Sequence, residues 1–235
     1  MKIANGIEML EISMKLIGQE STICPTLLWD EDTAILVDAG IIGSLSEIKK
    51  VMGDAGVPFE KLNKIIVTHQ DVDHIGGIKA IIEELPEVKV FAHKEDKPYI
   101  MGEKKLIKMN SAFMERINDL PEEQKKKVLY AFENSHVRVD ETLADGEELS
   151  DCGGIVVIHT PHHTPGHICL YHKPSKTLIL GDEIRVRNGE FIGSENQPLN
   201  EKNMKKAVNS IKKFEKYDIE NIIAYHGGLF NEKSN

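Results

Sequence analysis

Four short segments rich in histidine and aspartate each follow an apolar run that is typical of a buried strand. The runs are KIIV, IVVI, TLIL and NIIA, and the polar segments after them are residues 68–77, 159–167, 181–182 and 225–228. Loops at strand ends are held by a rigid scaffold, so side chains from all four segments could meet at one edge of the fold. Converging histidine and aspartate side chains indicate a metal site.

The first segment contains four residues of metal-ligating type within six positions, namely His69, Asp71, Asp73 and His74. Alternate residues of an extended chain point to the same side, so the first three are expected to converge. His74 can turn inward where a helix begins, and the two glycines after it allow a close backbone approach. A polar loop with an N-capping aspartate is the alternative, but four such side chains at this spacing favour metal binding.

Apolar patterning predicts the surrounding elements. Helices are expected near residues 44–52, 77–85 and 201–216, a hairpin at 185–192 turning at Asn188-Gly189, and a strand at Val137–Val139. Between about residues 94 and 135 the chain is rich in lysine, glutamate and methionine, with apolar residues at helical spacing. This pattern predicts an insert of two or three helices between two β-rich halves.

Taken in order, HxDxDHxGG, TPHHTPGH, LGD and a late HGG resemble the motifs of the metallo-β-lactamase fold superfamily, and ILVDAG at residues 35–40 resembles that fold's early strand and turn. The resemblance covers nearly the whole chain. It implies an α+β fold, a four-layer αββα sandwich, in a single domain of residues 1–235 with the helical insert at about 94–135. The motifs are specific for the fold but not for a reaction, because one fold can host many activities.

The resemblance also implies a role for each matching residue. Asp73 would be the catalytic residue that orients the nucleophile, Asp38 would orient a ligand histidine, and His167 would support its loop. His162 and Arg185 are candidate substrate contacts. The implied ligands of two divalent ions are His69, Asp71 and His163 for the first, Asp73, His74 and His226 for the second, and Asp182 for both.

Position 71 departs from the family pattern, since most relatives have histidine where this chain has Asp71. Asp71 could bind a metal directly or through water. With three aspartates and a hydroxide, a site holding two divalent ions is formally neutral, and a less positive cluster acidifies water less. An added oxygen ligand shifts metal preference somewhat, so Zn²⁺ is expected, with Mn²⁺ or Fe²⁺ as alternatives.

The predicted activity is hydrolysis by a hydroxide that bridges two metal ions. A small ester, lactone or thioester is the expected substrate, because the apolar insert favours an acyl chain. Family members that open acyl-homoserine lactones have a tyrosine shortly after the bridging aspartate, whereas Glu183, Ile184 and Arg185 follow Asp182 here. The alternatives are a phosphodiesterase or β-lactamase of the same fold, or a metal-binding protein without hydrolytic activity.

Charge and cysteine content limit the kinds of partner and the cellular location that we expect. The 235 residues carry a formal charge of −9, which argues against a nucleic-acid or anionic-membrane partner. The start of the chain does not resemble a signal peptide, and the three cysteines are scattered, which favours reduced thiols in a cytoplasmic protein. We therefore expect a cytoplasmic monomer or homodimer that acts on a small molecule.

Overall fold

The computed structural model describes residues 1–16, 19–187, 190–192 and 201–230. Within these ranges, no helix has both the length and the apolar character needed to cross a bilayer. The helices are α1 (Leu45–Asp54), α2 (Val72–Ile75), α3 (Ile78–Glu84), α4 (Lys97–Ile100), α5 (Ser111–Asn118), α6 (Glu122–Asn134) and α7 (Glu201–Phe214). The strands are β1 (Lys2–Ala4), β2 (Ile7–Met9), β3 (Ile12–Leu16), β4 (Gln19–Ile23), β5 (Thr26–Trp29), β6 (Ala34–Val37), β7 (Leu62–Val67), β8 (Lys89–His93), β9 (Glu141–Leu143), β10 (Glu148–Leu149), β11 (Ile155–His159), β12 (Ile168–His172), β13 (Thr177–Ile179), β14 (Arg185–Arg187), β15 (Glu190–Ile192), β16 (Asn221–Ala224) and β17 (Gly228–Phe230).

The strands form two large sheets, one from each half of the chain. The first has the order β1-β2-β5-β6-β7-β8-β9, and the second has the order β10-β11-β12-β13-β16-β17. Strands β6 to β9 pair in parallel, as do β13 and β16. The predicted hairpin is present as the antiparallel pair β14–β15, although its turn at Asn188-Gly189 lies outside the described residues.

Side chains along the central strands alternate between two cores, because successive residues of a strand point to opposite faces. In β6, Ile35 lies in a core shared with the second sheet, whereas Leu36 lies in a different core on the outer face. In β11, Val157 belongs to the shared core, and Ile158 belongs to a third core. The two sheets therefore pack face to face through the shared core.

Helices cover both outer faces. Ile48 of α1, Ile81 of α3 and Phe132 of α6 pack in the core that contains Leu36. Phe214 of α7 packs in the outer core of the second sheet. Full burial of side chains of this kind contributes roughly 1.5–3 kcal/mol each. The layer order is helix, sheet, sheet, helix, so the expected αββα sandwich is confirmed.

The region between the two halves contains α4, α5 and α6, where the apolar spacing predicts two or three helices. The strand predicted at Val137–Val139 is wrong, because the ninth strand is Glu141–Leu143. Val137 and Val139 are buried in the outer core, so their alternation reflects packing rather than strand pairing. Backbone pairing with β8 begins at Asp140, whose N–H donates to the carbonyl of Val90 at 2.8 Å and whose carboxylate accepts a hydrogen bond from Val90 N–H at 2.8 Å.

The four polar segments meet at one edge of the sandwich. The N–H of Ile168 donates to the carbonyl of Thr68 at 2.9 Å, which joins the end of β7 to the start of β12. The N–H of Tyr225 donates to the carbonyl of Gly181 at 3.3 Å, which joins the ends of β13 and β16. Both sheets therefore present their polar loops to the same place.

Candidate metal centre

A close backbone approach shapes the segment that follows β7. Asp71 is extended, and α2 begins at the next residue. The N–H of Ala39 donates to the carbonyl of His74 at 2.8 Å. A Cβ atom on Gly77 would lie 2.0 Å from the carbonyl oxygen of Ala39, so a glycine is needed for this packing. The approach places His74 beside Asp38.

A first group of ligand-type side chains surrounds Asp71. Its Oδ2 atom lies 3.0 Å from His69 Nε2 and 2.8 Å from His163 Nε2. One ligand atom from each of these residues and from Asp182 lie within 4.8 Å of one another. All four side chains are buried, so the protein, rather than solvent, fixes their positions.

A second group contains Asp73, His74 and His226. Asp73 Oδ2 lies 3.1 Å from His226 Nε2 and 3.9 Å from His74 Nε2. Asp182 lies between the two groups. Its Oδ1 is 3.4 Å from the Nε2 atoms of both His74 and His226, and its Oδ2 is 3.8 Å from His163 Nε2. The structure thus brings together the seven residues whose spacing resembles a ligand set.

Three imidazole nitrogens in these groups lie close to carboxylates without a well-aligned hydrogen bond. The Nε2 atoms of His69, His74 and His226 are buried, and each lies 3.0–3.4 Å from a carboxylate oxygen. Imidazole nitrogen and carboxylate oxygen are ligands that zinc and related divalent ions accept. Bonds of about 2.0–2.1 Å in a tetrahedral site place ligand atoms about 3.3 Å apart. The separations of 2.8–3.9 Å between these atoms lie on either side of that value.

His74 is held by a stacked ring and by a carboxylate on its Nδ1 atom. Its Nδ1 lies 2.8 Å from Asp38 Oδ2, and Asp38 also accepts hydrogen bonds from Thr68 N–H at 2.8 Å and from the Thr68 hydroxyl at 2.7 Å. The Tyr225 ring stacks on His74 with 3.8 Å between centroids, and its hydroxyl donates to the carbonyl of Asp73. With Nδ1 engaged by a carboxylate, Nε2 is directed at the ligand group.

His167 supports the loops rather than joining either group. The N–H of Asp182 donates to His167 Nε2 at 3.1 Å, so the ring proton resides on Nδ1, which donates to Thr160 Oγ1 at 2.8 Å. Burial, together with the nearby charges of His69 and His163, lowers the pKa of His167 well below its usual value. The neutral ring therefore links the second polar segment to the segment that carries Asp182.

Asp96 is a supporting residue that the sequence did not indicate. Its buried carboxylate accepts hydrogen bonds from Gln70 N–H at 3.0 Å, Thr164 Oγ1 at 2.7 Å and Gly166 N–H at 2.8 Å. A Cβ on Gly166 would lie 2.4 Å from the Asp96 nitrogen, so the loop approaches Asp96 closely. Asp96 therefore connects the segment that carries Asp71 to the loop that carries His163. No local motif marks it, since its partners are distant in sequence.

Lys108 is a second residue that sequence reasoning missed. It lies in the loop between α4 and α5, and its Nζ forms an ion pair with Asp71 Oδ2. The adjacent Ile107 N–H donates to Gln70 Oε1 at 2.8 Å, which fixes this loop against the ligand segment. The sequence did contain one sign that such a lysine was needed. Asp71 adds a buried negative charge, and a buried charge requires a partner of opposite charge.

The charges around the site keep its aspartates ionised. Burial alone would raise their pKa values. For Asp71, the charges of Lys108 and His69 outweigh burial and hold the pKa well below its usual range. His226 and His74 do the same for Asp182, and they also lower the pKa of Asp73. The three carboxylates are therefore charged at neutral pH and available to a cation.

Of the two candidate substrate contacts, His162 has a described side chain and Arg185 has a described backbone only. His162 is half-buried, and its Nδ1 lies 3.9 Å from Glu183 Oε1. Burial raises the pKa of Glu183 to about 8 and lowers the pKa of His162, so this pair is largely uncharged at neutral pH. The backbone of Arg185 begins β14, but its side chain lies outside the described residues.

Comparisons with curated proteins give relatives at low identity. The chain is 27% identical to the uncharacterized protein YobT of Bacillus subtilis over 171 residues, which cover 72% of this chain and 65% of that protein. It is 28% identical to the probable metallo-hydrolase YflN of Bacillus subtilis over 158 residues, 64% of this chain and 55% of the relative. A hydroxyacylglutathione hydrolase of Francisella philomiragia is 26% identical over 162 residues, 67% of this chain and 46% of the relative. The matches thus span about half to two thirds of these relatives.

Solved structures show the same fold. The metallo-beta-lactamase family protein TTHA1429 from Thermus thermophilus superposes with a TM-score of 0.75 at 21% identity, covering 98% of this chain and 76% of that one. A metallo-beta-lactamase from Pontibacter korlensis gives a TM-score of 0.69 at 16% identity, covering 99% and 93%. A model of the metallo-beta-lactamase superfamily matches residues 25–226. The chain therefore belongs to the metallo-beta-lactamase superfamily.

Proposed function

We propose that this chain is a metal-dependent hydrolase that holds two divalent ions and cleaves a small ester, lactone or thioester. The observation that carries the proposal is the pair of ligand groups on either side of Asp182, with three buried imidazole nitrogens directed at carboxylates. His69, Asp71 and His163 would hold one ion, and Asp73, His74 and His226 would hold the other. Asp182 would contact both.

Zinc is the metal we propose first, since imidazole and carboxylate together are a common zinc ligand set. In the first group, however, Asp71 replaces what would be a third imidazole. The ligand set is therefore harder than a set of three imidazoles would be. Carboxylate oxygen suits manganese, and mixed sets of histidine and carboxylate suit iron. Mn²⁺ and Fe²⁺ are therefore the alternatives to be compared directly with Zn²⁺.

The residues at the site would divide the chemical work. Divalent ions bound here would lower the pKa of water and polarise the carbonyl oxygen of a substrate. Asp73, whose Oδ2 lies 3.1 Å from His226 Nε2, would orient a reacting water and accept its hydrogen bond. Asp38 and Tyr225 would keep His74 fixed during the reaction, because they contact its ring directly.

The acyl-substrate class is supported by two features. Relatives from Francisella philomiragia and Crocosphaera subtropica are named hydroxyacylglutathione hydrolase, and that name denotes an acyl ester of a thiol. The helical region from α4 to α6 also lies next to the site, since its Lys108 reaches Asp71. A short acyl group is therefore the substrate portion that we propose to test first.

The test is a substrate panel run on the full chain with Zn²⁺, Mn²⁺ or Fe²⁺. It contains aliphatic lactones, acyl thioesters, activated esters, phosphodiesters and a β-lactam. We expect turnover of at least one of the first three classes, loss of that turnover in Asp73→Asn, and no loss in Asp54→Asn. Asp54 is a suitable control because it is an exposed aspartate paired with Lys50.

Three results would overturn the proposal. Turnover restricted to phosphodiesters or the β-lactam would reject the substrate class. Activity that survives Asp73→Asn would show that these ligand groups are not the catalyst. Full activity at less than one equivalent of metal, measured by elemental analysis, would reject the two-ion arrangement.

A further inference from the structure

Three nitrogen atoms lie close to a single oxygen of Asp71. His69 Nε2 lies 3.0 Å and His163 Nε2 lies 2.8 Å from Asp71 Oδ2, and Lys108 Nζ forms an ion pair with the same atom. A carboxylate oxygen has about two lone-pair directions. A metal ion bound through His69, Asp71 and His163 would therefore have to share or replace the position taken by the ammonium group.

Lys108 is held near Asp71 by its neighbours. Leu106 is buried in the outer core of the first sheet, and the N–H of Ile107 donates to Gln70 Oε1 at 2.8 Å. Gln70 directly precedes Asp71 and is itself bound to Asp96. The backbone next to Lys108 is thus fixed to the ligand segment, whereas the lysine side chain retains its own rotatable bonds.

The second group has no comparable ion pair. Within the described parts of the chain, the ion-pair partners of Asp73 are the imidazoles of His226 and His74. An imidazole nitrogen can itself bind a metal, whereas the ammonium of lysine offers no acceptor and remains a cation. The charge of Lys108 also acts on Asp73 and Asp182, but its direct ion pair is with Asp71. An ion entering the first group must therefore displace the ammonium group, whereas one entering the second group meets this charge at longer range.

We infer that Lys108 acts as an internal cation for Asp71, so that the second group binds its metal first and the first group binds a further ion only weakly, by displacing Lys108. This inference rests on the proposed function only in taking the same two groups as metal sites. The inference also explains what aspartate at position 71 changes. Its carboxylate forms an ion pair with Lys108, which a neutral histidine at this position would not form.

The test measures zinc binding rather than turnover. The full chain and its variants are dialysed against zinc-buffered solutions of increasing free Zn²⁺, and bound zinc is counted by elemental analysis. We expect two separated steps for the unaltered chain. In Lys108→Met the weaker step should tighten by about tenfold or more, equivalent to about 1.4 kcal/mol, while the tighter step stays nearly unchanged.

Matched variants identify the cause and the order. Lys108→Arg keeps the charge and should behave like the unaltered chain. Lys105→Met removes an exposed lysine from the same loop and should also have no effect. Asp71→Asn should remove the weaker step and leave the tighter one. Circular dichroism checks folding, and Lys108→Gln replaces the methionine variant if that variant does not fold.

The other outcomes separate a failure of the inference from a failure of the proposed function. An unchanged weaker step in Lys108→Met, with an altered KM for substrate, would assign Lys108 to substrate binding instead. Loss of the tighter step in Asp71→Asn would reverse the order of loading. Absence of any zinc binding would overturn the proposed function as well, whereas two normal binding steps without hydrolysis would overturn the proposed function alone.

Discussion

The two ligand groups lie side by side at one edge of the sandwich, yet they are supported in different ways. In the second group, His74 is fixed by Asp38 on its Nδ1 atom and by the ring of Tyr225. In the first group, Asp71 is balanced by Lys108, which arrives from a loop between two helices. A histidine of the second group is thus held by side chains at strand ends, whereas the charge of Asp71 in the first group is balanced by a lysine from a loop. Similar ligand residues can therefore differ in metal affinity because of what surrounds them.

The largest effect is expected for Asp182→Ala, because Asp182 is the residue that faces both groups. Its loss should lower zinc content in both groups and reduce turnover by roughly a thousandfold, or about 4 kcal/mol of transition-state stabilisation. Elemental analysis and steady-state kinetics measure the two effects. If only one binding step were lost, Asp182 would belong to a single group and the comparison between groups would fail.

The next effect concerns the second group alone. Asp38→Asn removes the carboxylate that holds His74 Nδ1 and should weaken the tighter zinc step by about 10- to 100-fold. The weaker step should change less, since Asp38 reaches His69 indirectly, through the Thr68 hydroxyl, which lies 2.7 Å from Asp38 Oδ2 and 3.0 Å from His69 Nδ1. Zinc-buffered dialysis separates the two steps. An equal loss in both would show that the groups share their support.

Asp96→Asn tests the support of the first group. The amide places a donor among the N–H and O–H groups that now donate to Asp96, so folding should weaken by about 1–2 kcal/mol. Zinc affinity in the weaker step should also fall, because Asp96 binds the segment that carries Asp71 and the loop that carries His163. Urea unfolding of this variant is compared with that of Asp119→Asn, an exposed aspartate. Equal stability would contradict the role of Asp96.

The smallest effect is a pH dependence beneath the loop that carries His163. His93 stacks on His159 with 3.9 Å between centroids, and burial, with the charge of His159, lowers the pKa of His93 to about 4. The unfolded chain protonates this histidine near its ordinary pKa of 6.5. Between these values the unfolded state binds more protons, so the free energy of unfolding should fall as the pH drops from 6.5 toward 4.

His93→Phe should flatten this part of the stability profile while keeping the stacked ring. Urea unfolding at several pH values between 4 and 6.5 measures the difference. The same slope in the variant and the unaltered chain would show that another group is responsible.

The sequence predicted which histidine and aspartate side chains converge more fully than it predicted the residues that hold them in place. His69, Asp71, Asp73 and His74 lie within six residues, so their convergence follows from local geometry. The contacts of Lys108 with Asp71 and of Asp96 with Gly166 join residues that are far apart in sequence and have no fixed spacing. The strand predicted at Val137–Val139 failed for a similar reason, since alternating burial arose from packing against helices. Residue spacing within one segment thus predicted which side chains converge. Contacts between distant segments could be identified only from the three-dimensional structure.

The hydrogen bond from Ile168 to Thr68 joins the two halves of the chain directly at the site. Four ligand-type residues lie before residue 75, but His163, Asp182 and His226 come much later. During synthesis, the first half can therefore present only part of the candidate ligand set until the strands of the second sheet have also been made. Stable metal capture would then coincide with completion of the fold. An N-terminal fragment ending before β11 should accordingly bind divalent ions far more weakly than the whole chain.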